Sequence, residues 1–501
     1  MAVAAQGPEH EAIVVGAGFA GIGLAIALKR AGIEGFVLLE KAADIGGTWR
    51  DNTYPGLAVD IPAFTYSFGF APRADWSRLY PSGREIKQYA DGVVEQFGLR
   101  PHLRLNSTVT GAKFDEAGDH WRISLADGTE LTCRYLLSCQ GALSTPSVPS
   151  LDGLDEFQGH VMHTARWDHD HDLSGRRVAV VGTGATALQL IPEIADVSTR
   201  LTVFQRTPIW VFPKFNPPVP RPLQALIRAF PPLHRLCRLV TTAFVEALVT
   251  GVVHHRRSKP MVDVVERLSL LHLRVQVRDR KLRKKLRPQY GFGCKRPSFS
   301  NTYWRTFTRP NVDLVTAGID RVTPSGVRDR DGVEHAADTL ILATGFKLFD
   351  ITFPIVGRDG GELSDFWSRN RRQAYEGVAV PGFPNLFLVP GPYGNVGLSW
   401  FQMIDAVVPH VIRVLGESRR RRATRVEVRQ DAHDEYMAWI ASRMPDTVFF
   451  NGNCADANSY YFDEHGDAPW LRPINTAPAR RRSRSFPLDD YAYSGTSATP
   501  R

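Results

Sequence analysis

The stretch AIVVGAGFAGIGLAIALKR, residues 12–30, decides how the rest of the chain is read. Ala12 to Val15 is a short apolar run that reads as a buried strand. Gly16-Ala17-Gly18-Phe19-Ala20-Gly21 follows as G-x-G-x-x-G, and Ile22 to Arg30 continues as a helix. Gly32 stops that helix, and Phe36–Leu39 reads as the next strand. In such a unit Gly16 permits the tight turn, Gly18 lets a pyrophosphate approach the backbone, and Gly21 lets helix and strand pack closely. The helix start offers unpaired N–H groups and a positive dipole end. Glu40 closes the second strand, where a carboxylate accepts hydrogen bonds from ribose hydroxyls, and Lys41 follows it. A glycine motif alone also occurs in ordinary strand–helix turns; strand, helix and terminal acid together point to nucleotide binding.

A second copy begins at Arg177. Val178–Val181 is its strand, Gly182-Thr183-Gly184-Ala185-Thr186-Ala187 its turn, Leu188–Ile194 its helix and Leu201–Phe204 its second strand. Ala187 replaces the third glycine, a tolerated variant. The second strand ends in Gln205-Arg206-Thr207 and not in an acid. An acid there repels a 2′-phosphate, whereas an arginine grips it. The alternative for Arg206 is a plain surface arginine. One half therefore suits an ADP moiety without a 2′-phosphate and the other suits NADPH, a pairing that FAD plus NADPH satisfies. The fold class expected is α/β, two Rossmann-like dinucleotide-binding domains with a helical insertion.

The boundaries that follow are 1–148 for the first part of the FAD-binding domain and 149–215 for the first part of the NADPH-binding domain. A basic helical insert spans 216–290, the NADPH domain resumes over 291–346, and the FAD domain with a C-terminal tail takes 347–501. Pro213 to Pro222 reads as a linker. Thr339–Phe346 and Leu386–Val389 read as strands ending in turns. Arg480 to Arg501, rich in Arg, Ser, Asp and Tyr, is expected to lie extended over the surface or to be mobile.

An apolar content of 43% over 501 residues fits a globular protein with large cores. The net charge of +9 is concentrated: residues 216–290 hold 16 Lys/Arg against 4 Asp/Glu. Two readings stay open, a solvated helical surface or a membrane-facing, anion-steering patch. No recognition module accompanies the charge, so nucleic-acid binding is not expected. The five cysteines form no C-x-x-C pair, which removes the usual signature of a zinc ribbon or a dithiol redox site, and their scarcity suits a reducing compartment. No metal site is expected. The N-terminus lacks a leader pattern, and the best apolar run, Leu239 to Val253, is short for a bilayer and carries Glu246. A cytoplasmic protein is expected, with membrane association left open.

Further motifs narrow the class by resemblance. Residues Phe157 to Asp168 fit F-x-G-x-x-x-H-x-x-x-W-[PD], with Phe157, Gly159, His163 and Trp167 at the fixed positions. This resembles the fingerprint of type I Baeyer–Villiger monooxygenases. Related N- and S-oxygenating flavin monooxygenases carry Tyr or Phe followed by Lys or Arg at the end, so Trp167-Asp168 favours the Baeyer–Villiger branch. Gly46 to Asp60 resembles the family's motif G-G-x-W-x-x-x-x-Y-P-G-x-x-x-D, with Gly47, Thr48, Trp49 and Tyr54 inside it. Cys294-Lys295-Arg296-Pro297, followed by Tyr303-Trp304, resembles the stretch that carries the catalytic arginine. Ala343-Thr344-Gly345-Phe346 resembles the return to the FAD domain. The resemblance covers about residues 10–400 and is looser beyond, with the basic insert peculiar to this chain.

The resemblance implies an FAD- and NADPH-dependent monooxygenase that uses a C4a-peroxyflavin and O2 to turn ketones into esters or lactones, with sulfide oxidation as a side activity. It implies Arg296 as the catalytic cation, Asp60 as its partner and Lys295 beside Arg206 on the 2′-phosphate. His163 and Trp167 would couple the domains. The plain alternatives are a surface ion pair for Arg296–Asp60 and a hydrogen-bonding strut for His163. Three rival classes remain. An N- or S-hydroxylating flavin monooxygenase shares both nucleotide sites. A disulfide oxidoreductase needs a cysteine pair that the sequence does not display. A non-catalytic membrane-surface flavoprotein would be a decayed form of the same fold.

Overall fold

The computed structural model describes residues 7–495. Strand β1 (His10–Val15), helix α1 (Phe19–Arg30) and strand β2 (Phe36–Leu39) form the first parallel unit. They sit in an eight-stranded sheet. Its order is Ile355–Val356, Val109–Asp115, His120–Leu125, Glu130–Ser138, β1, β2, Leu103–Arg104, with Leu386–Leu388 added beside Glu130–Ser138. Strand β3 (Arg177–Val181), helix α2 (Ala185–Ile194) and strand β4 (Arg200–Phe204) repeat the pattern. Their five-stranded sheet is parallel throughout, in the order Val312–Val315, β4, β3, Thr339–Leu342, His160–His163. The central strands read as continuous apolar runs because both faces are covered: Ile13, Val14 and Val180 are fully buried. Each unit has its own core, packed on both faces of its sheet: Val14 and Ile13 point into opposite layers of the first, Val180 and Ala179 into opposite layers of the second. The doubled α/β architecture expected from the two glycine motifs is the one observed.

The insert is helical: α3 (Arg221–Ala229), α4 (Pro231–Val253), α5 (His255–Gln276) and α6 (Arg280–Leu286). The proline-rich stretch ahead of it is a strap and not a loose linker. Val219 N donates to Ser77 O at 2.8 Å, and Leu79 N to Pro217 O at 3.3 Å. Helix α4 corrects the expectation that no segment has the length and apolarity to cross a bilayer. Its 23 residues qualify on both counts, and 28% of its most apolar window is buried. The run extends further back than Leu239 because the first turns, from Pro231, are helical too. Glu246 does not interrupt it, since its carboxylate accepts from Gln402 Nε2 (3.2 Å), Asn475 Nδ2 (3.1 Å) and Thr476 N (3.2 Å), tying α4 to the body of the protein.

The C-terminal expectation is also corrected. Thr476–Ser485 is a helix, and Tyr491–Ser494 pairs antiparallel with Arg425–Val428. Phe486 stacks on His410 at 3.8 Å, and His410 Nε2 lies 2.6 Å from the Tyr491 hydroxyl. The charged run is punctuated by Ala479, Phe486 and Tyr491, which find buried places and fix the segment. Residues 496–501 of that tail lie outside the described residues. Cys294 and Cys454 form a disulfide across 160 residues, with Cα atoms 5.2 Å apart. Their spacing in sequence gave no signal of this, because only the folded topology brings them together.

Candidate active site

Each glycine turn is crowded by the next strand of its own sheet. A Cβ on Gly16 (φ +103°) would lie 2.5 Å from Cys139 O, and one on Gly182 (φ +110°) would lie 2.4 Å from Ala343 O. No L side chain fits either place. Helices α1 and α2 both begin without a side-chain cap, leaving N–H groups directed at the space beyond the strand ends. In the first unit Gly46 N donates to Ala17 O at 2.9 Å, and a Cβ on Gly47 would stand 3.2 Å from Gly18 Cα. Two bare backbone segments thus lie side by side, a cradle that fits the pyrophosphate of a dinucleotide. Phe19 and Ala20 turn inward; Phe19 packs on Phe401 at 4.7 Å and on Phe68 and Tyr89. Gly21 is buried against the Gly16 carbonyl.

Glu40 is 5% exposed and braces the loop. Its Oε2 accepts from Ala17 N (2.9 Å), and its Oε1 from Ala42 N (3.1 Å) and Arg50 Nη1 (2.9 Å). Arg50 was not singled out in the sequence. Lys41 is exposed, Thr48 opens a short helix, and Trp49 Nε1 donates to the Tyr66 hydroxyl at 3.0 Å. Tyr54 lies elsewhere than the first cradle: it is buried in the core of the second unit, its hydroxyl donating to Gln189 Oε1 at 3.1 Å. Gln189 also bonds Ala58 through both its N–H and its carbonyl, at 2.8 and 3.3 Å. The Tyr54–Ala58 turn therefore docks the first unit on α2. Gln189 gave no signal, being one polar residue in an amphipathic helix.

In the second unit Thr183 Oγ1 donates to Thr207 O at 3.0 Å, fixing the turn against the end of β4. Gly184 is exposed, and Ala185 and Thr186 are half-buried. Arg206 is exposed at the end of β4. Lys295 is half-buried, its pKa pushed down to about 8 by burial first and by the charge of Arg206 second. Neither cation has a carboxylate partner among the described residues. Two unneutralised cations beside an uncapped helix start suit a phosphate. Asn458 Nδ2 donates to Thr207 Oγ1 at 2.9 Å, so a C-terminal segment that sequence reading passed over reaches this site.

Asp60 and Arg296 meet at the junction of the two units. Nε donates to Oδ2 at 2.5 Å and Nη2 to Oδ1 at 2.7 Å, and Nη2 also reaches Leu398 O at 3.3 Å. Each side chain is about a quarter exposed, at 27% and 23%. Burial alone would raise the Asp60 pKa, but the charge and hydrogen bonds of Arg296 outweigh it and hold the carboxylate below its usual range. Asp60 in turn holds Arg296 protonated against its own burial. Nη1 makes none of these bonds, and the Tyr461 hydroxyl is within reach of the guanidinium. The pair borders a narrow cavity of about 10 Å3 whose other walls are apolar, chiefly Phe244, Val245 and Leu248 of α4 with Phe299 and Leu398. Tyr461 stands beside Arg296, its hydroxyl pKa raised by burial. The disulfide anchors this corner, because Cys294 lies two residues before Arg296 and Cys454 opens the segment leading to Asn458 and Tyr461.

The fingerprint residues are not in the cavity. Phe157 packs under the second sheet, and Gly159 faces the Asp338 carbonyl at a distance no Cβ tolerates. His163 ends its strand with Nδ1 accepting from Ala165 N at 3.1 Å. It is 7% exposed, its pKa lowered by burial, and its ring meets Phe346 edge-on at 6.2 Å. Trp167 is half-buried against the second core.

The profile of the pyridine nucleotide-disulphide oxidoreductase family matches residues 13–220. A Baeyer–Villiger monooxygenase of Streptomyces coelicolor is 39% identical over 98% of this chain and 94% of its own. The crystal structure of OTEMO in complex with FAD and NADP superimposes with a TM-score of 0.85 at 27% identity, covering 98% of this chain and 100% of that one. Cyclohexanone monooxygenase from Rhodococcus sp. Phi1 bound to NADP+ gives 0.84 at 27% identity over 98% and 100%. Similarity thus continues through the insert and past residue 400, where motif reading had expected it to fade. The chain belongs to the Baeyer–Villiger monooxygenase family.

Proposed function

We infer that the chain uses FAD and NADPH to insert one atom of O2 into a ketone, giving an ester or lactone while the second atom leaves as water. The bidentate Arg296–Asp60 pair, set in an apolar cavity where the two dinucleotide units meet, carries the reading. Gly16–Gly21, Glu40 and Gly46–Trp49 would hold FAD, which when bound and reduced would supply the activated oxygen. Gly182–Thr186, Thr207, Arg206 and Lys295 would hold NADPH, the source of the two electrons, with the last two on its 2′-phosphate. Arg296 keeps its proton at every working pH and presents Nη1 to the negative charge that develops on the carbonyl oxygen. Asp60 fixes the guanidinium plane through two bonds, so no reorientation is needed as that charge appears. Phe244, Val245 and Leu248 keep water out. His163 and Trp167 act as positioning residues at the passage between the units.

Stopped-flow absorbance with product analysis tests this. Arg296→Ala should still bleach its flavin with NADPH, yet form ester at least about 100-fold more slowly. Ester formed at the unaltered rate would refute the role of Arg296. A ketone and a thioether assayed side by side separate this reaction from N- or S-hydroxylation: a thioether turned over with no ester from any ketone would favour the latter.

A further inference from the structure

Thirteen of the 20 large apolar side chains exposed among the described residues lie between Phe215 and Val275. They form stripes. On α4, Leu236, Leu239, Val240 and Phe244 recur at helical spacing on the outward face, with Leu239 66% exposed. On α5, Val264, Leu268, Leu271 and Val275 do the same, with Val275 72% exposed. A patch of this extent on one side of a soluble body marks a docking surface. The exposed cations of the same helices, among them Arg228, Arg235, Arg257, Arg267 and Arg274, border it. With 9 Lys/Arg against 3 Asp/Glu in residues 221–276, two copies apposed through this face would set like charges together. An anionic bilayer answers both features, accepting the apolar stripes below its headgroups and pairing the arginines at them.

The inner side of α4 adds a consequence. Val245 and Leu248 wall the Arg296 cavity, and Phe244 belongs to both surfaces: it borders the cavity and is 44% exposed. We propose that α3, α4 and α5 dock the enzyme on anionic lipid and that ketones dissolved in the bilayer reach Arg296 past Phe244. A cavity of about 10 Å3 holds a single water, so displacement of Phe244 is part of that route. Docking stands on the surface alone; the route rests on the reaction proposed above.

Flotation of the flavin-loaded enzyme tests the docking. Vesicles of equal parts phosphatidylglycerol and phosphatidylcholine should carry it at low salt, and phosphatidylcholine alone should carry about tenfold less. Raising the salt should release part of the bound enzyme. The double variant Leu239→Asp, Leu268→Asp should lose at least about tenfold in binding while retaining its flavin absorbance and its turnover of a water-soluble ketone. No flotation at low salt, or equal flotation of the variant, would overturn the docking. So would a vesicle-free dimer that the double variant abolishes, since a second copy would then cover the face. Anionic vesicles should also raise turnover of a long-chain, bilayer-partitioned ketone in the parent and not in the variant. Flotation without that stimulation overturns the route. A parent enzyme that makes ester from no ketone, soluble or partitioned, overturns the reaction and leaves the docking result standing.

Discussion

Lys295 is the site residue whose charge changes within an ordinary working range of pH. Burial and Arg206 bring its pKa down to about 8. The free enzyme therefore holds two cations at the proposed 2′-phosphate site below that pH and one above it. The KM for NADPH should rise as pH passes through about 8, while that for NADH stays flat; parallel profiles for the two cofactors would separate Lys295 from the phosphate. The same shift has an opposite sign for folding. A lysine with a lowered folded value costs stability while protonated, and this cost fades as pH climbs from about 8 toward the usual lysine range. Arg206→Ala should raise the KM for NADPH by about tenfold or more and that for NADH by less than about twofold. It should also move the Lys295 inflection upward, because a like charge has gone. Equal effects on both cofactors would return Arg206 to the plain surface arginine.

At the scale of elements, the turn at Tyr54–Ala58 against α2 is the joint between the dinucleotide units. Gln189 makes three hydrogen bonds there, to Tyr54 and to both backbone groups of Ala58. A Cβ on Gly56 (φ +80°) would lie 2.6 Å from Gln189 O, so the turn is pressed on the helix backbone itself. Gln189→Ala leaves the Tyr54 hydroxyl and Ala58 unpaired at a cost of about 1–3 kcal/mol, and it should loosen the relative placement of the units. Flavin reduction by NADPH should slow severalfold, whereas reduction by dithionite, which needs no docked nucleotide, should not change. A slowing of both would show damage to the flavin site in place of the joint.

At the scale of the molecule, the Cys294–Cys454 disulfide ties the segment bearing Lys295 and Arg296 to the C-terminal segment bearing Asn458 and Tyr461. Cross-linking chain ends 160 residues apart restricts the unfolded ensemble. Cys454→Ser should lower the thermal midpoint by several degrees, and dithiothreitol should do the same to the parent. Identical midpoints with and without reductant would mean that packing alone holds this corner. Arg472, 1% exposed and bound to Glu376, shows how firmly the C-terminal part is otherwise built in.

Both glycine turns, their strands and helices, and the contrast between Glu40 and Arg206 were legible in the chain, because strand, turn and helix start are set by neighbours in sequence and by residues with special backbone freedom. Asp60 and Arg296 were legible through motifs alone; no periodicity relates two residues 236 apart. Partners fixed by packing were silent. Gln189, Leu398, Asn458 and Tyr461 are ordinary residue types whose roles come from what lies across a domain joint. Arg480 to Arg501 read as an extended or mobile tail because composition registers charge, not the pockets that receive Phe486 and Tyr491. Local chemistry fixed which nucleotides this chain can hold. The tertiary structure decided which cation faces the cavity and which helix walls it, because those contacts join segments that only folding brings within reach.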